Sequence, residues 1–163
     1  MNKKVITQDL GRRDYKETWD YQEELFKEIF EVKVKNRRED GDAPTPNHFL
    51  FVEHPHVYTL GKSGDLSNLL LNEAQLAEKG ATFYKINRGG DITYHGPGQI
   101  VAYPLVDIRR RGIGVRDFVH RIEQAIIEAM YRAFNDPATP RREFTTEDVA
   151  EAMRRLVPLS RSQ

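Results

Sequence analysis

The sequence predicts an α+β fold, and three observations carry that expectation. Short apolar runs bounded by glycine or proline recur as candidate strands, most clearly Phe49-Leu50-Phe51-Val52 and Val57-Tyr58-Thr59-Leu60. Two longer segments carry apolar residues at helical spacing instead, one from Asp14 to about Val34 and one from Val115 to Ala133. Strands and helices do not alternate one for one, as a doubly wound parallel sheet requires, so a mixed sheet with flanking helices is the better reading.

Taken in order, Val5-Ile6-Thr7 reads as a short strand closed by Gly11. Tyr15, Trp19, Phe26, Ile29 and Phe30 then recur between charged residues as one face of an amphipathic helix. The polar stretch from Asn36 to Pro46 is a long connection. Phe49 to Val52, apolar without a break, fits a strand buried on both faces. Val57 to Leu60 follows a proline and stops at Gly61. Glu73 to Lys79 forms a short helix with Gly80 at its C-terminal cap. Thr82 to Ile86 and Ile92 to Tyr94 are strands on either side of a Gly89-Gly90 turn. Pro104 places the run from Ile100 to Val106 at a sheet edge or a bulge. Val115, Phe118, Val119, Ile122, Ile126, Ala129 and Ala133 trace one face of the second long helix. Last, Thr145 with Asp148 forms a capping box ahead of a small apolar face of Val149, Ala152, Met153 and Leu156.

Composition narrows the function classes. The 163 residues suit one domain, and Lys plus Arg balances Asp plus Glu at 25 each. That zero net charge supports neither a nucleic-acid partner nor a membrane-surface partner. The arginines crowd two stretches, Arg109, Arg110, Arg111, Arg116 and Arg121, then Arg141, Arg142, Arg154, Arg155 and Arg161, and read as solvated helix faces. No segment approaches the roughly 20 apolar residues of a membrane helix, and the N-terminus lacks the pattern of a secretory signal, so a cytoplasmic location is expected. Cysteine is absent, which excludes disulfides, cysteine-ligated zinc and a thiolate nucleophile from these residues.

The chemistry concentrates in Arg88-Gly89-Gly90-Asp91-Ile92-Thr93-Tyr94-His95-Gly96-Pro97-Gly98-Gln99. Four glycines and a proline in twelve residues call for two tight turns, with a carboxylate, hydroxyls and an imidazole between them and a cation before them. Glycine turns also bring backbone N–H groups close to a ligand. A second cluster, His54-Pro55-His56-Val57-Tyr58-Thr59-Leu60-Gly61-Lys62-Ser63-Gly64-Asp65, contains another donor-rich turn. It is no phosphate loop, because His56 occupies the position of the required upstream glycine. His54, His56 and His95 lack the spacing and carboxylate of a metal site. His48 and His120 read as surface or satisfied core residues, and Tyr58, Tyr84, Tyr94 and Tyr103 as packing residues. A Ser-His-Asp hydrolase stays open, although no Gly-x-Ser-x-Gly elbow is present.

These two clusters, in this order and separation, resemble the signature of the octanoyl-carrier-protein:protein octanoyltransferases of protein lipoylation. Asp9-Leu10-Gly11 with Tyr15, Trp19 and Gln22 is similar to that family's opening strand and helix. The resemblance implies a biotin protein ligase/lipoate ligase-like fold over residues 1–134, with 135–163 a divergent tail. It implies that Arg88, Gly89, Gly90, Asp91, Ile92, Thr93, Tyr94 and His95 bind substrate, lining an acyl pocket with Arg88 and His95 as polar anchors at its mouth. It implies octanoyl-acyl carrier protein as donor and lipoyl domains of 2-oxoacid dehydrogenase complexes or the glycine cleavage H protein as acceptor. Neither cofactor nor metal is expected.

In such enzymes a cysteine, activated by a nearby lysine, takes the acyl group as a thioester. Their Lys-Ile-Ala-type and Pro-Cys-Gly motifs, downstream of the second long helix, have no counterpart after Asn135, and no catalytic residue is assigned. The fold is therefore expected to be incomplete at its C-terminus. Three readings remain: an acyltransferase whose activity needs a segment not present here, a non-catalytic acyl or carrier-protein binding module, and an inactive truncated fragment.

Overall fold

Residues 4–109, 112–135 and 145–156 are described in a computed structural model. The expected charges at Arg110, Arg111, Arg141, Arg142 and Arg161 and the stretch 136–144 lie outside the described residues, as do the side chains of Arg154, Arg155 and Leu156. The elements run β1 (Ile6–Arg12), α1 (Tyr15–Arg38), β2 (His48–Glu53), β3 (Val57–Leu60), a 3-10 turn (Leu66–Asn68), α2 (Glu73–Glu78), β4 (Thr82–Lys85), β5 (Ile92–His95), β6 (Ile100–Leu105), α3 (Val115–Asn135) and α4 (Thr146–Leu156). The strands form two three-stranded sheets, ordered β1-β2-β6 and β4-β3-β5, so the α+β class holds. Pro104 sits on β6, an end strand of the first sheet, where a missing N–H is tolerated. No described helix is long and apolar enough to cross a membrane.

Two elements outrun the sequence expectation. β1 continues through Gly11, whose φ of 60° an L side chain rarely adopts, and the strand stays in place beyond it. Just after it, Arg13 N–H donates to the Glu53 carbonyl at 3.0 Å, while the Arg12 guanidinium bonds the Glu53 carboxylate at 2.6 Å. Helix α1 runs on to Arg38, into the segment expected to be loop. Asp14 starts it by accepting from the N–H groups of Lys16 and Glu17, and Lys35, Arg37 and Arg38 complement the dipole of its last turn. Beyond it, the Asn36 carboxamide bonds both the N–H and the carbonyl of Ala43 at 2.8 Å and closes the connection back on the helix.

The chain divides into two compact units. The first comprises the described parts of Met1–Asp9, Gln22–Leu50 and Tyr103–Gln163. Its core joins Leu25 and Ile29 of α1, Phe49 and Leu50 of β2, Ala125, Ala129 and Ala133 of α3, and Val149, Ala150, Ala152 and Met153 of α4. The alanine stripe lets α4 lie close against α3. The capping box forms as expected, with Thr145 N–H and Oγ1 donating to the Asp148 carboxylate at 2.7 and 2.9 Å. Thr146 also bonds Asp9 at 2.7 Å. Lys33 pairs with the buried Asp107 carboxylate at 3.0 Å.

Several apolar residues of this unit stay outside the core. Phe26 and Phe30 are 59% and 56% exposed, because the buried stripe of α1 falls one position earlier, on Leu25 and Ile29. On α3, Val115 and Val119 are exposed although the periodicity placed them on the inner face; the alanines take that role. His48 is buried with neither ring nitrogen hydrogen-bonded, so it is neither a surface residue nor a satisfied core residue.

The second unit, Leu10–Tyr21 with Phe51–Ala102, is organised by β3. This strand pairs parallel with β4 and antiparallel with β5. The segments flanking Gly89-Gly90 are therefore not a hairpin; they lie on opposite edges of β3 and the glycine turn crosses its end. Helix α2 packs against β4, with Leu76 buried beneath it. Asn72 and Gln75 form a capping box at its start, and Gly80 follows its end at φ 64°.

Candidate functional site

Strand period decides which side chains meet. Opposed residues of paired strands share a face, and neighbours along a strand point to opposite faces. Val57 with His95 and Thr59 with Thr93 are opposed, and Tyr84 is the partner of Thr59 on β4. Val57, Thr59, Tyr84, Thr93 and His95 thus occupy one face. Tyr58, Leu60, Ile92 and Tyr94 occupy the other, where Tyr94 Oη bonds His56 Nδ1 at 2.6 Å.

The first face is closed by an aromatic group from three separate stretches of chain. Tyr15, at the start of α1, stacks on Tyr84 at 5.7 Å and on His95 at 6.2 Å, and its ring lies 5.1 Å from His54. His54 and His95 are 6.0 Å apart. His54 is fully buried, with Nδ1 2.9 Å from the Arg13 carbonyl, while His95 Nδ1 is 2.6 Å from Gln99 Oε1. Burial holds the His54 imidazole below its ordinary pKa against the opposing pull of the Arg13 carbonyl. Burial also raises the Tyr15 phenol, partly offset by the positive charge of Arg88. It raises Tyr84 as well, where Asp14 adds to the shift and Lys16 opposes it. The phenols and His54 are uncharged at neutral pH, and the wall they make presents aromatic carbon with neutral polar tips.

Arg88 has a different setting from the one its sequence position implies. Its Nη2 donates to the Thr59 carbonyl at 2.9 Å, Thr59 Oγ1 at 3.1 Å and the Asp91 carbonyl at 2.8 Å, and its Nη1 to the Gly89 carbonyl at 2.9 Å. The guanidinium thus ties the glycine turn to β3. The Asp91 carboxylate accepts from Asp65 N–H at 3.2 Å and from the Asn68 carboxamide at 2.6 Å, holding the Leu66–Asn68 turn. The donors expected around Gly61-Lys62-Ser63-Gly64 face inward too. Gly61 N–H bonds the Asp91 carbonyl at 3.3 Å and Lys62 N–H the Arg88 carbonyl at 2.9 Å. The two sequence clusters are one docked assembly.

Of the eight residues Arg88 to His95, Thr93 and His95 stand on the aromatic face, Gly89 and Gly90 form the turn, Arg88 and Asp91 brace it, and Ile92 and Tyr94 turn away. Sequence reasoning did not connect Tyr15, His54 and Tyr84 to this site. Tyr15 opens α1, His54 directly follows the last residue of β2 and Tyr84 lies within β4, positions that pattern alone does not single out.

A family model described as "Lipoyl protein ligase A/B catalytic domain" matches residues 14–152. The chain belongs to this family. Within the lipoyl protein ligase A/B family it is 65% identical over 127 residues to the octanoyltransferase of Flavobacterium johnsoniae, covering 78% of this chain and 55% of that protein. It is 50% identical over 128 residues to the octanoyltransferase of Cytophaga hutchinsonii, covering 77% and 52%. The chain spans about half the length of the curated relatives it matches. Among solved structures, a T. acidophilum protein assigned as a lipoate protein ligase and holding lipoic acid aligns with a TM-score of 0.46 at 10% identity, over 82% of this chain and 48% of that one.

Proposed function

We propose that these residues form the acyl-binding side of an octanoyltransferase of protein lipoylation. Such an enzyme moves octanoate from octanoyl-acyl carrier protein to a lysine of a lipoyl domain, in a 2-oxoacid dehydrogenase complex or the glycine cleavage H protein. The reading rests on one arrangement: Thr93 and His95 share a face with Thr59 and Tyr84, roofed by Tyr15 and His54, beside the Gly89-Gly90 turn. An uncharged aromatic wall with a few hydrogen-bonding tips suits a chain that is apolar along its length and carries one carbonyl. Arg88 and Asp91 shape the turn, and Thr93 and His95 meet the substrate.

Covalent transfer is a separate matter. A thiolate takes an acyl group near neutrality and releases it again to an amine, whereas an acyl-lysine is an amide and a dead end. The 163 residues hold no cysteine, so the thioester step is not theirs. That same absence favours a second reading, a module that binds acyl-carrier protein without turning it over.

Incubation with octanoyl-acyl carrier protein and a lipoyl domain, followed by intact mass, tests the chemistry. The chain is expected to stay at its unmodified 18.9 kDa, with no octanoylated lipoyl domain above the uncatalysed rate. A stoichiometric octanoyl adduct would overturn this. Calorimetry separates the two readings: an acyl site binds the octanoyl carrier and not the acyl-free carrier, and loses binding in Thr93→Phe. A carrier-protein module binds both forms equally.

A further inference from the structure

The segment His95-Gly96-Pro97-Gly98-Gln99 is a device for orienting an imidazole. Gln99 N–H donates to the Gly96 carbonyl at 3.1 Å, closing a four-residue turn with Pro97 second and Gly98 third. Gly98 has φ 84°, the left-handed value that a type II turn needs at that place, and Pro97 supplies the fixed φ that precedes it. Gly98 N–H is in turn held by the Glu53 carboxylate, and Gly96 is buried where a Cβ would strike the Tyr94 phenol. The chain therefore reverses sharply and carries the Gln99 side chain back onto His95, four residues earlier, with Oε1 2.6 Å from Nδ1. A carboxamide oxygen only accepts, so the hydrogen lies on Nδ1 and the lone pair of the neutral ring lies on Nε2. Parallel stacking against Tyr15, 12° from coplanar, fixes the plane of the same ring.

We propose that Gln99 is a positioning residue that fixes His95 as the Nδ1–H tautomer, so that Nε2 is a hydrogen-bond acceptor for an amine or amide N–H at the site. This rests on the acyl-transfer reading for the identity of the N–H group, and on geometry alone for the tautomer. His56 gives an internal contrast. Its Nδ1 faces a phenol hydroxyl, which both donates and accepts, so that contact selects neither tautomer.

Long-range 1H–15N NMR on the intact chain at a pH where both rings are neutral reads the tautomers directly. The expected result is a pyridine-like Nε2 for His95. Gln99 is exposed and its backbone closes the turn, so Gln99→Leu should keep the fold and lose the single tautomer at His95 while leaving His56 unchanged. Gln99→Glu, which restores an acceptor oxygen, should recover it. A His95 that is Nε2–H in the wild type, or one indifferent to Gln99→Leu, overturns the proposal. For the acceptor role the probes are N-butyloctanamide, which carries an N–H, and methyl octanoate, which does not. The first should shift the His95 Nε2 resonance and the second should not. Equal shifts overturn the acceptor role, and binding of neither probe overturns the acyl site while the tautomer result stands.

Discussion

At the scale of single residues, the glycines divide into those that close contacts and those that merely bend. A Cβ on Gly61 would run into the carbonyl oxygens of Gly90, Gly89 and Arg88, backbone atoms of which the Gly89 oxygen is held by the Arg88 guanidinium and the Arg88 oxygen by Lys62 N–H. Gly89, by contrast, has open space where its Cβ would stand. Gly61→Ala should therefore cost about 1–3 kcal/mol, as overpacking does, and Gly89→Ala should stay within about 0.5 kcal/mol. Urea titration of the two variants checks this, and equal midpoints would show that the docked turns yield. Gly90 sits at φ 85°, so any larger side chain there strains the backbone before it reaches a ligand. The glycine turns were legible in the sequence because their chemistry is local. The meeting of Tyr15, His54, Tyr84 and His95 was not, since it joins residues from three distant stretches through strand register. The inward role of Arg88 was hidden for the same reason: its acceptors include Thr59 on another strand.

Among the elements, the sequence pattern located each described helix and strand of four residues or more, and erred on part of the buried faces of α1 and α3. β2 was read as buried on both sides and is. A glycine doublet that serves hairpins elsewhere does not pair β4 with β5 here, because β3, earlier in the chain, lies between them. On α3 the large residues drew attention, but the close packing of α4 needs the small ones, Ala125, Ala129 and Ala133. Helix α4 is thus an integral layer of the first unit. Met153, buried to 1% exposure, should lose about 2–5 kcal/mol on truncation to alanine. Thr145→Ala should cost about 0.5–2 kcal/mol through the lost cap. Thermal denaturation of both variants measures this; a Met153→Ala protein as stable as the parent would mean that α4 is not docked in solution.

For the whole molecule, buried imidazoles set the acid limit. Burial lowers the pKa of both His48 and His54 in the folded state. Below the unfolded pKa of about 6.5 the unfolded chain takes up protons that the folded chain refuses, so stability is full above that value and falls as pH drops through it toward the folded pKa. Equilibrium unfolding at pH 7.5 and pH 5.5 should show the loss. His48→Gln should flatten the slope by removing one of the two groups, and an unchanged slope in His48→Gln would place the proton uptake elsewhere. Trp19 gives this protein a lamp at a useful address. It is the sole tryptophan of the chain, and its ring meets the edge of Tyr15 at 6.2 Å, the same Tyr15 that stacks on Tyr84 and His95. Whatever moves or covers that tyrosine changes the surroundings of the chain's one indole, so its emission, recorded without any label, reports on occupancy of the aromatic face.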